Sequence, residues 1–424
     1  MEASPVSPPA FPDWAHLPLD VVRLISAKVK SITDFTRFRA VCSPWRSATL
    51  PKPRHLPPQL PWLMLPWGSL NKRDDGIRLF YDLWESKTRK LDLPETIDKV
   101  CCTSYRGWLL LVGSEGKEVF LLNPLTRARI QLPPFGPPVR RLGGDWDDQS
   151  YENCWLDPNL GSFAIRKVVF SSDLTDPNCL ITVFLHNSRG FLCCRVGDSS
   201  WTKIYSRPNR LSDATYHNGR FYLLYEHAIE IIDSNNPEER VLVYDLGLAL
   251  GEILAMFLEG KSGVYVVVVN DEEDEEEDDE DDEEDDEDDE EDEDPTKHDT
   301  MEEGTVKTPK KTFELYKLQE QPFKLKLVPK TRDTIIFFGN DVCPYLSVCS
   351  DDWDSVDGDS MYMVCMGWSF AGNDRYGACY NRYITKLDNR NSDNGKSVKV
   401  ESDIAMDSIY RPYAQAMWFQ PNFF

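Results

Sequence analysis

Apolar residues recur at helical spacing over one stretch only, residues 17–29, where Leu17, Val21, Leu24, Ile25 and Val29 follow i, i+3, i+4 steps. The pattern predicts a first helix with Pro18 in its opening turn. A second short helix is expected from an N-cap at Thr33 or Asp34, carrying Phe35, Phe38 and Val41 inward. Ser43 followed by Pro44 marks a third start, with Trp45 and Arg46 just inside it. The apolar positions of the first helix, from Leu24 round to Val22, span about 160°, wider than the roughly 100° stripe that one core contact needs. The surplus leaves two readings open, a face packed on the rest of the chain or a face kept for a partner. Three short helices in about forty residues also lie near the limit below which a chain rarely folds alone.

Beyond residue 60 the period changes. The stretch "GWLLLVGSEGKEVFLLNPLTRARIQLPP", residues 107–134, alternates short apolar runs with turn signals, and "CLITVFLHNSRGFLCCRVGDSSWTKI" and "YHNGRFYLLYEHAIEIID" repeat the habit. Strands of this length without intervening helices predict an all-β domain. Gly107 to Gly190 is 83 residues and Gly219 to Gly263 is 44, close to two blades and one blade of a propeller, whereas Gly190 to Gly219 is 29 and breaks the period. No Trp-Asp blade ending and no regular kelch glycine pair accompanies it. Roughly 320 ordered residues exceed one sandwich and suit six or seven blades. The expected organisation is a helical domain at 11–50, a linker at 51–60 and a β-propeller over 61–424.

Charge changes this picture at one place. Asp271 to Asp294 is a run of 24 consecutive carboxylates, and setting it aside turns 72 acidic against 47 basic side chains, net −25, into 48 against 47. The acidity belongs to the tract rather than to the fold. Like charges that cannot bury apolar surface predict a disordered acidic loop at 271–311, inserted between two neighbouring strands of the propeller. A polyanion of this length disfavours nucleic acid as a partner. No basic leader with an apolar run behind it and no apolar run of 18 residues is present, so an intracellular protein of the nucleus or cytoplasm, without a membrane partner, is expected. Eleven cysteines, with adjacent pairs at Cys101-Cys102 and Cys193-Cys194 and no C-x-x-C, suit reduced, packed thiols.

"LPLDVVRLI" followed by "FTRFRAVCSPWR" resembles an F-box, with Leu-Pro at Leu17-Pro18, an aliphatic helix through Val21, Val22 and Ile25, and the Arg-x-V-C-x-x-W-R ending at Arg39, Val41, Cys42, Trp45 and Arg46. The later pieces "RGWLLLV", "VFLLNPLTRARIQLPP", "SWTKI", "HNGRFYLL", "FELYKL", "TIIFFGNDVCPYLSV", "MYMVCMGW" and "AMWFQPNFF" resemble, in order, the plant F-box family with a C-terminal KIB-type β-propeller. The stretch 376–394 is only loosely similar. The resemblance implies a three-helix F-box followed by an irregular propeller. It also implies a role as substrate-recognition subunit of an SCF-type cullin-RING ubiquitin ligase, docking on a Skp-type adaptor, and through it a cullin, by way of Leu17, Pro18, Val21, Val22, Ile25 and Trp45. The protein substrate is unknown.

The chemistry-bearing residues point the same way. There is no G-x-S-x-G, H-E-x-x-H, P-loop or dinucleotide glycine fingerprint, the six histidines are scattered, and no cofactor or metal is expected. His217 with His227, Asp145 with Asp147 and Asp351 with Asp352 read as structural or loop residues. Trp62, Trp67, Trp84, Trp108, Trp201 and Trp418 read as packing between blades, and the proline- and arginine-containing loop 133–148 is a candidate rim contact for a protein. The competing function class is an acidic-tract protein that binds basic, histone-like partners independently of a ligase. Within the ligase reading the tract has a simpler use, since it begins directly after "GVYVVVVN" at 263–270, whose "VYVVVV" run is aggregation-prone, and adjacent like charge acts as a gatekeeper. Replacing residues 271–294 by a short Gly-Ser loop is expected to lower solubility while leaving adaptor binding intact; unchanged solubility would sink the gatekeeper idea.

Overall fold

Two-residue turns set up the hairpins. Arg106-Gly107 (φ 45° and 84°) and Asn218-Gly219 (φ 46° and 82°) place both central residues at positive φ, the turn geometry whose twist matches that of paired strands. The computed structural model describes residues 14–50, 53–65, 74–135, 165–271, 311–349, 360–370, 378–388, 396–399 and 417–421, apart from short interruptions within these ranges. Three helices come first: α1 (Leu19–Ser26), α2 (Ile32–Ala40) and α3 (Ser43–Ala48).

The strands form six sheets among the described residues. The first blade is β1 (Trp62–Met64), β2 (Ile77–Asp82) and β3 (Lys87–Asp92), completed on its inner edge by β25 (Met417–Phe419). The second is β4 (Lys99–Tyr105), β5 (Trp108–Gly113), β6 (Val119–Leu122) and β7 (Arg129–Leu132). The third is β8 (Ile165–Phe170), β9 (Leu180–Leu185), β10 (Gly190–Arg195) and β11 (Thr202–Tyr205), and the fourth is β12 (Leu211–His217), β13 (Arg220–Tyr225), β14 (Ile229–Asp233) and β15 (Arg240–Val243). The fifth is β16 (Leu254–Gly260), β17 (Gly263–Asp271), β18 (Lys311–Glu320) and β19 (Phe323–Leu327).

The sixth sheet departs from the meander. It has five strands in the order β21 (Leu346–Cys349), β20 (Thr334–Gly339), β22 (Ser360–Phe370), β23 (Ala378–Asp388) and β24 (Lys396–Lys399), with β20 and β22 parallel. The loosely similar stretch 376–394 contains β23. Around the ring, β25 touches β4, β4 touches β8, β8 touches β12, β12 touches β16, and the sixth sheet meets β16 through β21 and β25 through β20. The architecture is the expected propeller, with six sheets described.

Alternation explains why the strands read as nearly continuous apolar runs. Leu109 and Leu111 of β5 pack with Trp62, Met64 and Phe80 of the first blade, while Trp108, Leu110 and Val112 of the same strand pack with Val168, Ile181 and Val183 of the third. Both faces of the second blade are thus interior, and a fully buried leucine or phenylalanine contributes about 1.5–3 kcal/mol. Trp62, Trp108 and Trp418 are buried between blades as expected; Trp67 and Trp84 lie outside the described residues. The strands β17 and β18 pair as far as Asp271↔Lys311, and residues 272–310, which hold all but the first carboxylate of the tract, lie outside the described residues.

A polar clamp crosses three blades inside this apolar ring. Lys167 Nζ on β8 lies 3.2 Å from Asp213 Oδ1 on β12, and Asp213 Oδ2 accepts a 2.7 Å hydrogen bond from the Phe257 N–H on β16. Both lysine and aspartate follow a register shift in their strands, between Ile165 and Lys167 and between Leu211 and Asp213, and such bulges re-aim a side chain. Asp213→Ala separates Lys167 from its carboxylate and removes the acceptor of a buried amide. The expected loss is about 3–5 kcal/mol in chemical denaturation; a loss below about 1 kcal/mol would show that the clamp is not a stabilising element.

The thiols supply a pH dependence. Burial pushes Cys101 up to about 12, Cys193 up to about 11 and Cys194 up to about 12, and raises Cys102 well above its ordinary value. Unfolded thiols ionise near about 8.5, so above that pH the folded chain holds protons that the unfolded chain has lost. Their contribution is complete below that pH and is lost as pH rises toward 11 to 12. Stability measured by denaturant titration is therefore expected to fall between about pH 8.5 and pH 11, and these four thiols should resist alkylation in the native protein at pH 8.

Candidate functional site

Pro18, expected inside the first helical turn, is instead the residue before it, the N-cap of α1, with φ −53° and ψ 136°. The second helix opens two residues earlier than expected, because the Ser31 hydroxyl accepts from the Thr33 and Asp34 N–H groups at 3.2 and 3.4 Å. Ser31 is the better cap because the residue after it, Ile32, is itself buried. The third helix starts at Ser43 with Pro44 in its first turn, as expected.

A small core holds the three helices together. Val22, Phe38 and Ala48 are buried, with Leu17 and Trp45 packed against them. The Trp45 ring lies 4.4 Å from that of Phe38, and its indole N–H donates to the Trp14 carbonyl at 3.0 Å. The arginines of the Arg-x-V-C-x-x-W-R stretch act as reciprocal caps. Arg39 Nη1 donates to the Arg46 and Thr49 carbonyls at 3.1 and 2.6 Å, Arg46 Nε donates back to the Arg39 carbonyl at 3.2 Å, and Arg23 Nε reaches the Ala48 carbonyl at 3.3 Å. These bonds satisfy carbonyls that helix ends leave open. Burial, reinforced by the like charge of Arg46, lowers the Arg39 pKa from its ordinary value.

The opposite side of α1 is apolar and uncovered. At 100° per residue Val21, Leu24 and Ile25 fall within about 100° of one another; Leu24 is 68% and Ile25 39% exposed, and Val21 is half-buried. Leu19 and Pro18 are exposed beside them, and Val41 is 57% exposed. Val41 was expected inward. It faces out because α2 ends at Ala40, leaving Val41 as its C-cap. Of the six residues named from sequence, Leu17, Val22 and Trp45 therefore belong to the small core, and Pro18, Val21 and Ile25 lie on or beside the outer face. Leu24, the most exposed aliphatic residue of α1, was within the apolar arc but outside the positions carried over from the F-box resemblance; its place at the edge of that arc, about 60° from Val21 on the helical wheel, was the available signal.

The helices are sealed to the first blade. Gln59, buried just before β1, accepts from the Ile32 N–H at 2.7 Å through Oε1 and donates to the Lys30 carbonyl at 3.0 Å through Nε2. Ile32 packs with Trp62, Met64, Phe80, Met417 and Phe419. His55 Nε2 lies 2.9 Å from the Ser26 carbonyl, and its ring meets Phe35 edge-on at 5.7 Å. Arg37 forks onto Glu85 at 3.0 and 3.1 Å, and Glu85 also pairs with Arg89 at 2.9 Å. Burial pushes the Glu85 carboxyl up, but the Arg37 hydrogen bonds and the Arg89 and Arg37 charges hold it below its ordinary value.

Elsewhere the candidates disperse. Only residues 133–135 of the candidate rim loop are described: the Trp201 indole donates to the Pro133 carbonyl at 2.8 Å and stacks on Phe135 at 5.2 Å. Asp145, Asp147, Asp351 and Asp352 lie outside the described residues. Among the described residues, no group of three or more His, Cys, Asp and Glu is placed to hold a metal ion, and no helix is long and apolar enough to cross a membrane.

Comparison with known proteins bears on both parts of the chain. Arabidopsis thaliana F-box protein SKIP23 is 26% identical over 397 residues, covering 89% of this chain and 89% of that protein. Two further Arabidopsis thaliana proteins, putative F-box protein At4g22660 and F-box protein At2g26160, are 27% and 29% identical over 52% and 50% of this chain and 57% and 61% of their own lengths. The family model described as KIB1-4 beta-propeller matches residues 80–395, from the second strand of the first blade to the edge of the sixth sheet. The chain belongs to the KIB1-4 β-propeller family.

Proposed function

We propose that this chain is the substrate-recognition subunit of an SCF-type cullin-RING ubiquitin ligase, with its helices docking on a Skp-type adaptor and its propeller holding a protein substrate. The observation that carries the reading is the apolar face of Val21, Leu24 and Ile25, uncovered on a helix whose other side is packed by Val22. A small domain that keeps such a face open has a protein to cover it. The F-box names of the relatives supply the class of partner. In this reading the ubiquitin chemistry belongs to other subunits, and the chain contributes proximity.

The topology supports placing the substrate on the ring face away from the helices. Gln59 enters at the end of the first blade where Trp62 pairs with Phe419. The β7–β8 and β17–β18 connections leave from the other end of their blades, where Ile165 pairs with Leu185 and Asp271 with Lys311. The candidate rim loop and the acidic tract both fall in those two connections.

Copurification with a Skp-type adaptor tests the docking. Burying one aliphatic side chain is worth about 1.5–3 kcal/mol, so Leu24→Asp with Ile25→Asp is expected to weaken adaptor binding at least about tenfold. The melting temperature should stay near that of wild type, because both side chains are exposed. Binding that survives the double substitution, or a wild-type chain that does not bind the adaptor, would overturn the reading.

A further inference from the structure

We propose that the seam around Gln59 and Ile32 fuses the helices and the first blade into one rigid unit, and that Gln59 is a positioning residue that sets the orientation of the adaptor-docked helices relative to the ring. The positional part rests on the ligase reading; the rigidity does not.

A connection of about ten residues between two domains acts as a flexible tether when it is solvated. Among the described residues of this one, Pro53, Gln59 and Leu60 are buried and Leu56 is half-buried, with Pro61 buried just after it; His55 is exposed. Gln59 uses its amide in both senses on one short backbone segment, accepting from Ile32 and donating to Lys30 on either side of Ser31, the residue that caps α2. A rotation of the helices against the ring would break both bonds and lift Ile32 from its seat among Trp62, Phe80 and Phe419. Those three rings already pack on one another, with centroids 6.1, 6.2 and 5.4 Å apart.

Two further attachments lie away from this point. At the end of α1 the Ser26 carbonyl meets His55, and on the outer side of α2 Arg37 grips Glu85. Glu85 is in turn held by Arg89, whose guanidinium also bonds Asp82 and lies 5.2 Å over the Trp62 ring. Three separated points of attachment fix the orientation of one body on another. The ends of α1 and α2 and the turn between them each supply one, so the uncovered Leu24 face has a set direction relative to the blades.

The test uses the full chain with Gln59→Glu, which keeps an acceptor for the Ile32 N–H but turns the donor to the Lys30 carbonyl into a second acceptor. Arg37→Ala serves as a surface variant with little risk to folding. Hydrogen exchange on the chain alone is expected to show wild-type Ile32 protected to the same degree as β1. In Gln59→Glu its exchange should be at least tenfold faster, while β5 and β9 are unchanged. Wild-type helices that exchange far faster than the ring, or Ile32 protection unaltered by Gln59→Glu, would overturn the rigid seam whatever the adaptor does.

In the reconstituted ligase without added substrate, the lysines of this chain that become ubiquitinated report its orientation. A narrow set is expected in wild type. A broader set is expected in Gln59→Glu and, less so, in Arg37→Ala, with adaptor affinity within about twofold. The same lysines in all three proteins would overturn the positional role, and a chain that fails to bind the adaptor would refute the ligase reading while the exchange data still decide the seam.

Discussion

Closure of the ring is the constraint on which the other features rest. The second blade is apolar on both faces, packed on the first blade by one and on the third by the other, so a blade of this kind left at an open end would expose a whole sheet face to water. The pairing of β25 with β1, from Trp62↔Phe419 to Met64↔Met417, removes both ends at once. The closing strand is also fixed sideways to the second blade, where the Ser104 hydroxyl donates to the Trp418 carbonyl and the Cys101 thiol meets the Met417 sulfur at 3.6 Å. A three-residue strand can serve as a latch because it is bonded in two directions.

The helices use the same latch. Ile32 belongs to one buried cluster with Met417 and Phe419 of the closing strand and with Trp62 and Phe80 of the first blade, so that cluster is complete only in the closed ring. Division of labour within α1 follows from this arrangement. Its Val22 side is taken by the small core, its carboxyl end is tied through Ser26, and what is left uncovered is the Val21, Leu24 and Ile25 side. The three arginines that satisfy helix-end carbonyls let these short helices end abruptly, at Ala40 and Ala48, without glycine.

Much of the architecture was legible because period and turn chemistry are local. The helices appear as one 3.6-residue stretch, and the strands as apolar runs broken by glycine turns. The blade count was less so, and the glycines show why. Gly107, Gly219 and Gly263 all follow the first strand of a blade and take positive φ, whereas Gly190 opens the third strand of its blade. The 29-residue interval therefore compared unlike positions. The equivalent turn of the third blade, residues 171–179, has no glycine at all. The uncovered side of α1 was legible only in part, since an apolar arc too wide for one core contact left open both a face packed on the rest of the chain and a face kept free. Which residues occupy it was not, because a family motif mixes positions retained for the internal core, such as Val22 and Trp45, with positions on the surface. The seam left no signal beforehand, since a lone glutamine in a proline-rich connection looks like any solvated spacer until its partners are known.

The seat of Ile32 joins the opening of the chain to residues nearly four hundred positions later. Any frameshift or premature stop before codon 417 thus removes the ring's closing strand and, with it, part of the surface on which the helices are held. The α1 sequence would still be translated in such a product, but without its platform. A shortened chain would be unable to hold the uncovered α1 face in a fixed direction relative to the blades, so the late residues of the gene guard the meaning of the early ones.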